Sequence, residues 1–321
     1  MKKVLLIVAA LLLVGIVSVG AYLKFALPSV AKAPNLKAPT DQASIAHGRY
    51  LAHHVAVCMD CHSQRDWSRF SAPLANGPLG IGGEYFGPEM GFPGKFYSRN
   101  LTPAHLGTWT DGEIFRAVTT GVSKDGSALF PVMPYQYYAK MDKRDVLDII
   151  AYIRTLPAAE VPIPESAPDF PMNFILNTIP KDAPLGNRPD PSNKLAYGAY
   201  LVNMAACMEC HTPASNGQII PEKAFSGGRE FKLPSGLLRS ANITPDIETG
   251  IGGWTENDFI ARFASYRSPD ALPKVPEGTF NTLMPWSMYA NMKDEDLSAI
   301  YEYLHSLKPV KNQVARFTEN K

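Results

Sequence analysis

All four cysteines of the chain lie in two five-residue stretches, Cys58-Met59-Asp60-Cys61-His62 and Cys207-Met208-Glu209-Cys210-His211. Two thiols one helical turn apart, followed at once by an imidazole, form the donor set that attaches a c-type haem. The thiols add across the porphyrin vinyl groups as thioethers, and the next residue is carried beneath the ring centre as an axial ligand to iron. Two other chemistries use paired cysteines. A thioredoxin-like redox pair does not need the His and would have to occur twice. Zinc knuckles ordinarily sit within a few tens of residues of each other, whereas Cys58 and Cys207 are 149 positions apart and each pair has its own His. The residues therefore point to two covalently bound haem c groups. Cys58, Cys61 and His62 would hold one iron-bearing ring, and Cys207, Cys210 and His211 the other.

Each iron needs a sixth ligand or an open position, and a Met thioether opposite His is the electron-transfer arrangement. Met most often fills a core, so position must decide among Met90, Met133 and Met141 in the first half and Met284, Met288 and Met292 in the second. Met133 and Met284 stand out. Both precede Pro, they lie 71 and 73 residues after their His, and a last helix follows each. Met141 and Met292 are the reserve pair. His47, His53, His54, His105 and His305 have no counterparts in the other half, and a surface or core role is expected for each. Trp109, Trp254, Arg99 and Arg239 are candidates for contacts to haem propionates, against packing for Trp and solvation for Arg.

With every cysteine used, none remains for a disulfide or a thiolate ligand. A net charge of +1 gives no reason to expect nucleic acid as a partner. Phosphate-binding glycine loops, nucleophile elbows and zinc-protease motifs are absent from the sequence. At the amino terminus, Val4 to Leu23 is a charge-free run that, as a helix, would reach roughly 30 Å, enough to cross a bilayer. Lys2 and Lys3 before it favour an inside amino terminus, with the remainder outside. A signal sequence cut near Ser29-Val30-Ala31 is the alternative.

The elements that must position these residues come in two sets. Gly48-Arg49-Tyr50-Leu51 answers Gly198-Ala199-Tyr200-Leu201, and Asn100-Leu101-Thr102-Pro103 answers Asn242-Ile243-Thr244-Pro245. Gly107-Thr108-Trp109-Thr110-Asp111 answers Gly252-Gly253-Trp254-Thr255-Glu256, and Tyr152 answers Tyr303. An internal repeat of a one-haem unit follows. The expected layout is an anchor or signal over 1–25, a tether over 26–40, a first domain over 41–157, a Pro-rich linker over 158–190, a second domain over 191–310 and a polar tail over 311–321. Helices are expected from Ala46 and Ala196 into the haem motifs, from Thr110 and Thr255 behind capping boxes, and over Asp142–Leu156 and Asp294–Leu307. No strand series is expected. Nine prolines from Pro157 to Pro191 exclude a long helix there, and the apolar patch Phe170–Ile175 is expected to pack onto one of the domains. Tyr152 and Tyr303 are expected to pack near Gly48 and Gly198, where a missing side chain lets helices approach.

These motifs resemble class I cytochrome c in both halves. The tandem arrangement, with N-[LI]-T-P and G-x-W-T-[DE] between haem motif and Met, is similar to membrane-anchored bacterial di-haem cytochromes c. It is also similar to the cytochrome subunits of membrane-bound alcohol and gluconate dehydrogenases, which typically carry three such motifs where this chain has two. The resemblance implies an all-α protein of two tandem cytochrome c-like domains behind one transmembrane helix. It implies low-spin His/Met haems passing single electrons in a bacterial respiratory chain, with no catalytic residue of the chain's own. The expected partners are a dehydrogenase, a quinol-oxidising complex or a terminal oxidase. The expected place is the cytoplasmic membrane, with both haem domains on the periplasmic side. A dehydrogenase cytochrome subunit is the alternative; a di-haem peroxidase or thiosulfate-oxidising enzyme ranks below both, because both halves offer the same Met and no spare Cys.

Overall fold

The computed structural model describes residues 1–215, 217–268 and 272–319. The apolar run forms α1 (Lys2–Phe25), a helix long and apolar enough to cross a membrane, and no residue of it is buried by the rest of the chain. The first half then runs α2 (Gln42–Tyr50), α3 (Cys58–His62), β1 (Tyr85–Phe86), β2 (Gly94–Tyr97), α4 (Pro103–Leu106), α5 (Asp111–Thr120), α6 (Tyr135–Tyr138) and α7 (Lys143–Ile153). The linker contributes β3 (Ala167–Pro168) and α8 (Met172–Ile175). The second half begins with α9 (Lys194–Met204), α10 (Cys207–His211), β4 (Ala214–Ser215) and β5 (Gln218–Ile219). It continues through β6 (Glu230–Leu233), β7 (Gly236–Arg239), α11 (Glu256–Ala264), α12 (Trp286–Tyr289), α13 (Asp294–His305) and β8 (Phe317–Glu319).

Helices form where the sequence signals are strongest. In α7 the apolar residues Val146, Ile149, Ile150 and Ile153 fall at helical spacing and all are buried, behind the N-cap Asp142. α13 buries Leu297, Ile300 and Leu304 and carries three acids in its first turn, where the helix dipole favours them. Thr110 with Glu113, and Thr255 with Asp258, close complete capping boxes on α5 and α11.

An all-α description needs correction. Short antiparallel sheets β1-β2-β3, β4-β5 and β6-β7-β8 are present. Strands of two to four residues are too short for a period-two pattern to register in sequence. Within the segment expected as a polar tail, β8 pairs with β7, Leu237 with Thr318 and Leu238 with Phe317. The segment after α1 is likewise strapped down: Ala31 N–H donates to Asp182 Oδ1 (2.7 Å) and Ala38 N–H to Asp111 Oδ2 (2.8 Å). A Cβ on Gly112 would lie 1.7 Å from the Pro34 carbonyl oxygen, so this strap requires glycine there. The apolar patch of the linker lies beside the end of α1, with Phe170 and Ile175 exposed.

In each half the helix leading to the haem motif crosses the last helix at a glycine. A Cβ on Gly48 would stand 1.7 Å from the Asp148 carbonyl oxygen, and one on Gly198 would stand 1.9 Å from that of Ala299 and 3.0 Å from the Tyr303 Cβ. The two halves then dock reciprocally. Tyr50 donates to Asp296 and accepts from the Lys293 amide, while Tyr200 donates to Asp145 and accepts from the Asp142 amide. His54 Nδ1 meets the Met288 carbonyl at 2.9 Å, and Asn203 Nδ2 donates to the Tyr137 carbonyl at 2.9 Å. These contacts match pairwise across the two sides, the pattern of an isologous interface. A second contact has no mirror image among the described residues: Ser71 Oγ donates to the Met284 carbonyl (2.9 Å), and Ser71 N–H donates to Asn281 Oδ1.

One irregularity preserves this reciprocity. Gly48 and Gly198 are 150 positions apart but Cys58 and Cys207 are 149, so the first half has one extra residue before its haem motif. It is absorbed in a π turn over Leu51–Val55, closed by Ala56 N–H to the Leu51 carbonyl at 2.8 Å. His54 is thereby returned to the position that Asn203 holds in the second half.

Candidate haem-binding sites

Each haem motif is a five-residue helix entered through a residue in the left-handed region: Val57 at φ 47° before α3 and Ala206 at φ 50° before α10. For a β-branched residue this is a genuine outlier, held only because the surroundings fix it. A tyrosine provides the fixing contact in each half. Tyr138 O–H donates to the Ala56 carbonyl (2.8 Å) and Tyr289 O–H to the Ala205 carbonyl (2.9 Å), one residue upstream of the outlier.

The imidazoles are held identically. His62 Nδ1 meets the Arg99 carbonyl at 2.7 Å, and His211 Nδ1 meets the Ala241 carbonyl at 2.8 Å. That contact commits the proton to Nδ1 and leaves Nε2, for which no partner exists among the described residues, as the donor to a metal. Burial lowers the pKa of both imidazoles, which keeps them neutral. The carbonyls are brought near by glycines: a Cβ on Gly82 (φ +72°) would lie 2.6 Å from the Arg99 carbonyl carbon, and one on Gly227 (φ +73°) 2.3 Å from that of Ala241. Gly82 and Gly227 also donate their N–H to the carbonyls of His62 and His211. The Asn-x-Thr-Pro motifs anchor the far end of the same loops. Asn100 Nδ2 donates to the Ala159 carbonyl, and Asn242 Nδ2 to that of Val310, beyond α7 and α13 respectively.

The thiols of Cys58, Cys61, Cys207 and Cys210 are free, with no disulfide among them. Burial pushes Cys58, Cys61 and Cys207 up to about 12 and Cys210 up to about 11. All four nevertheless keep some exposure. The acid inside each motif is paired differently. Asp60 binds Arg65 (3.0 Å), which also binds Glu84 (2.7 Å), whereas Glu209 binds Arg229 (3.3 Å) and accepts from Tyr137.

Met133 and Met284 share one backbone device. Tyr135 N–H donates to the Met133 carbonyl and Trp286 N–H to the Met284 carbonyl across Pro134 and Pro285, at φ −79° and ψ 52° or 63°. This is an inverse γ-turn that proline pre-sets. Both Met side chains are half-buried at the edge of the core, whereas Met141 (0 % exposed) and Met292 (3 %) fill it. His53 is buried against Tyr152 (2.7 Å). Arg239 is not the counterpart of Arg99: Ala241 holds that position, and Arg239 pairs with Glu230 at 2.9 Å. The Trp109 and Trp254 carbonyls accept from Arg154 and Tyr301, which ties both turns to the last helices.

Sequence reading passed over the two tyrosines and the two glycines that hold the sites. Their signal was available: each Tyr falls five residues after its Met, and Gly82-Gly83 and Gly227-Gly228 repeat after each His.

Two thiols, an Nδ1-committed imidazole and an edge-lining thioether in each half suit a covalently held haem. The comparison with known proteins agrees for the half it covers, since residues 195–308 match the family model named Cytochrome c. Relatives matched over most of the chain are named as cytochromes or cytochrome subunits. The cytochrome c subunit of a quinone-dependent alcohol dehydrogenase from Gluconacetobacter polyoxogenes is 29% identical, over 94% of this chain and 63% of its own length. The cytochrome subunit of a fructose dehydrogenase from Gluconobacter japonicus is 29% identical, over 88% of this chain and 56% of its own. A diheme cytochrome c-type protein from Cereibacter sphaeroides is 28% identical, over 77% of this chain and 80% of its own. This chain thus spans about three fifths of the length of the two dehydrogenase subunits.

Proposed function

We propose that both halves, 41–157 and 191–310, are cytochrome c domains and that the chain carries single electrons through two covalent haems. Cys58 and Cys61, and Cys207 and Cys210, would anchor the rings. His62 with Met133, and His211 with Met284, would be the axial pairs. When bound, each haem supplies an iron that takes up and gives back one electron. The chain's own residues hold the imidazole neutral with Nε2 presented, fix the Met backbone through the Met-Pro γ-turn, and exclude water with the core behind them. The observation that carries this reading is the repeated Nδ1 contact, His62 to Arg99 and His211 to Ala241. A bound imidazole needs that orienting partner.

Met133→Ala and Met284→Ala should each lower the midpoint potential of one haem while the other stays unchanged and both remain attached. A spectroelectrochemical titration of the purified holoprotein reads this directly. Wild-type titrations from both variants would remove the Met assignments.

We further propose that the haem domains stand on the periplasmic side of a bacterial cytoplasmic membrane and that the electron donor is a dehydrogenase. The names of the relatives favour that donor over a free-standing carrier. Affinity capture of this chain from mildly solubilised native membranes should bring down a dehydrogenase subunit in fixed ratio. A quinol-oxidising complex, a terminal oxidase or no fixed companion would return the chain to the role of tethered carrier.

A further inference from the structure

The linker segment that carries Phe170, Met172 and Ile175 has an exposed apolar face whose position is fixed by α1. Asn177 Nδ2 donates to the Leu23 carbonyl at 2.9 Å, and α8 lies against the same end of that helix. Leu23 closes the charge-free run that began at Val4, and as a helix that run matches the roughly 30 Å of a bilayer's hydrocarbon. α8 is therefore level with the hydrocarbon edge. Phe170 is 82% exposed and Ile175 44%, while Leu176 is buried. On α1, Tyr22 and Phe25 are exposed near the same level, where aromatic side chains favour the membrane boundary. Asp169, Asn173 and Thr178 interleave with the apolar positions.

We infer that residues 170–175 form a second membrane contact, which dips its apolar side chains into the headgroup and acyl boundary of the lipid bilayer beside α1. This rests on reading α1 as a membrane span. Apolar side chains held at that level exchange water for lipid, as an interfacial helix does. The contact turns a single-helix anchor, free to swivel, into a two-point mount. The strap at Ala31–Asp182 and Ala38–Asp111 carries that fixed orientation to the first half.

The test reconstitutes the full-length holoprotein in phosphatidylcholine–phosphatidylglycerol liposomes doped with diazirine phospholipids. In one lipid the photoreactive group sits near the glycerol; in the other it sits at the acyl terminus. Mass spectrometry of the labelled peptides should place the shallow probe on 170–175 several-fold above the peptide holding Ile247, an exposed apolar residue of the second half. The deep probe should label the middle of α1. Phe170→Asp with Ile175→Asp should bring the shallow labelling down to the Ile247 level with the haem spectrum intact. Deep labelling of α1 with 170–175 no higher than Ile247 would overturn the inference and spare the anchor. Absence of labelling on α1 would overturn the anchor and the inference with it.

Discussion

His53 shows how one buried side chain sets a pH limit on the fold. Burial, with the neighbouring His54 and Arg49, lowers its pKa to about 4, and its Nε2 meets Tyr152 at 2.7 Å. A folded pKa below the unfolded value of about 6.5 means that the unfolded chain binds the extra proton first. This contribution is complete above the unfolded pKa and is lost as pH falls toward 4, by on the order of 2 kcal/mol after allowance for solvent screening. Denaturant unfolding of the holoprotein at pH 7 and pH 4.5 should therefore differ more for wild type than for His53→Gln, which keeps a hydrogen-bonding group but does not titrate. At this scale the haem motifs were legible because their chemistry lies in contiguous residues. The partners of His62 and His211 were not, because a backbone carbonyl has no side-chain signature. Arg99 could be named, but its carbonyl and not its guanidinium makes the contact.

The helices follow from local rules, and the crossings depend on two missing side chains. Gly198→Ala would drive a methyl group to 1.9 Å from the Ala299 carbonyl oxygen, so α9 and α13 would have to part. The expected loss is about 1–3 kcal/mol or more, seen as a lower denaturation midpoint with an unchanged slope. Gly15→Ala, in open space on α1, should leave the midpoint alone. In the sequence, capping boxes identified α5 and α11, and apolar residues at helical spacing identified α7 and α13. It did not show the π turn, which exists only because one residue too many must fit between two fixed contacts. It did not show the sheets either, because pairing such as Leu237 with Thr318 is settled 81 positions away.

At the scale of the molecule, the two halves stabilise each other through Tyr50 and Tyr200. Asp145 is 1% exposed and Asp296 6%, so each Tyr→Phe change removes a donor from a buried carboxylate, at about 1–3 kcal/mol. The wild-type holoprotein should unfold in one calorimetric transition. With Tyr50→Phe and Tyr200→Phe combined, the halves should melt separately in two; a single, merely lowered transition would show that other contacts couple them. The repeat was legible from paired motifs, yet the reciprocal docking was not, since each tyrosine's partner lies on the last helix of the opposite half.

The reciprocal contacts also bear on how strong that docking has to be. Two separate copies joined through such a surface would part on dilution. Here residues 158–190 join the halves covalently, and the linker is itself fastened to the first half by Leu185 N–H on Ala139 and by Arg188 on Asp145. Each half therefore meets the other at an effective concentration on the order of millimolar, whatever the protein concentration outside. An interface of only modest intrinsic affinity then stays closed, and its surface can diverge, as the His54 and Asn203 positions already have, without the assembly coming apart.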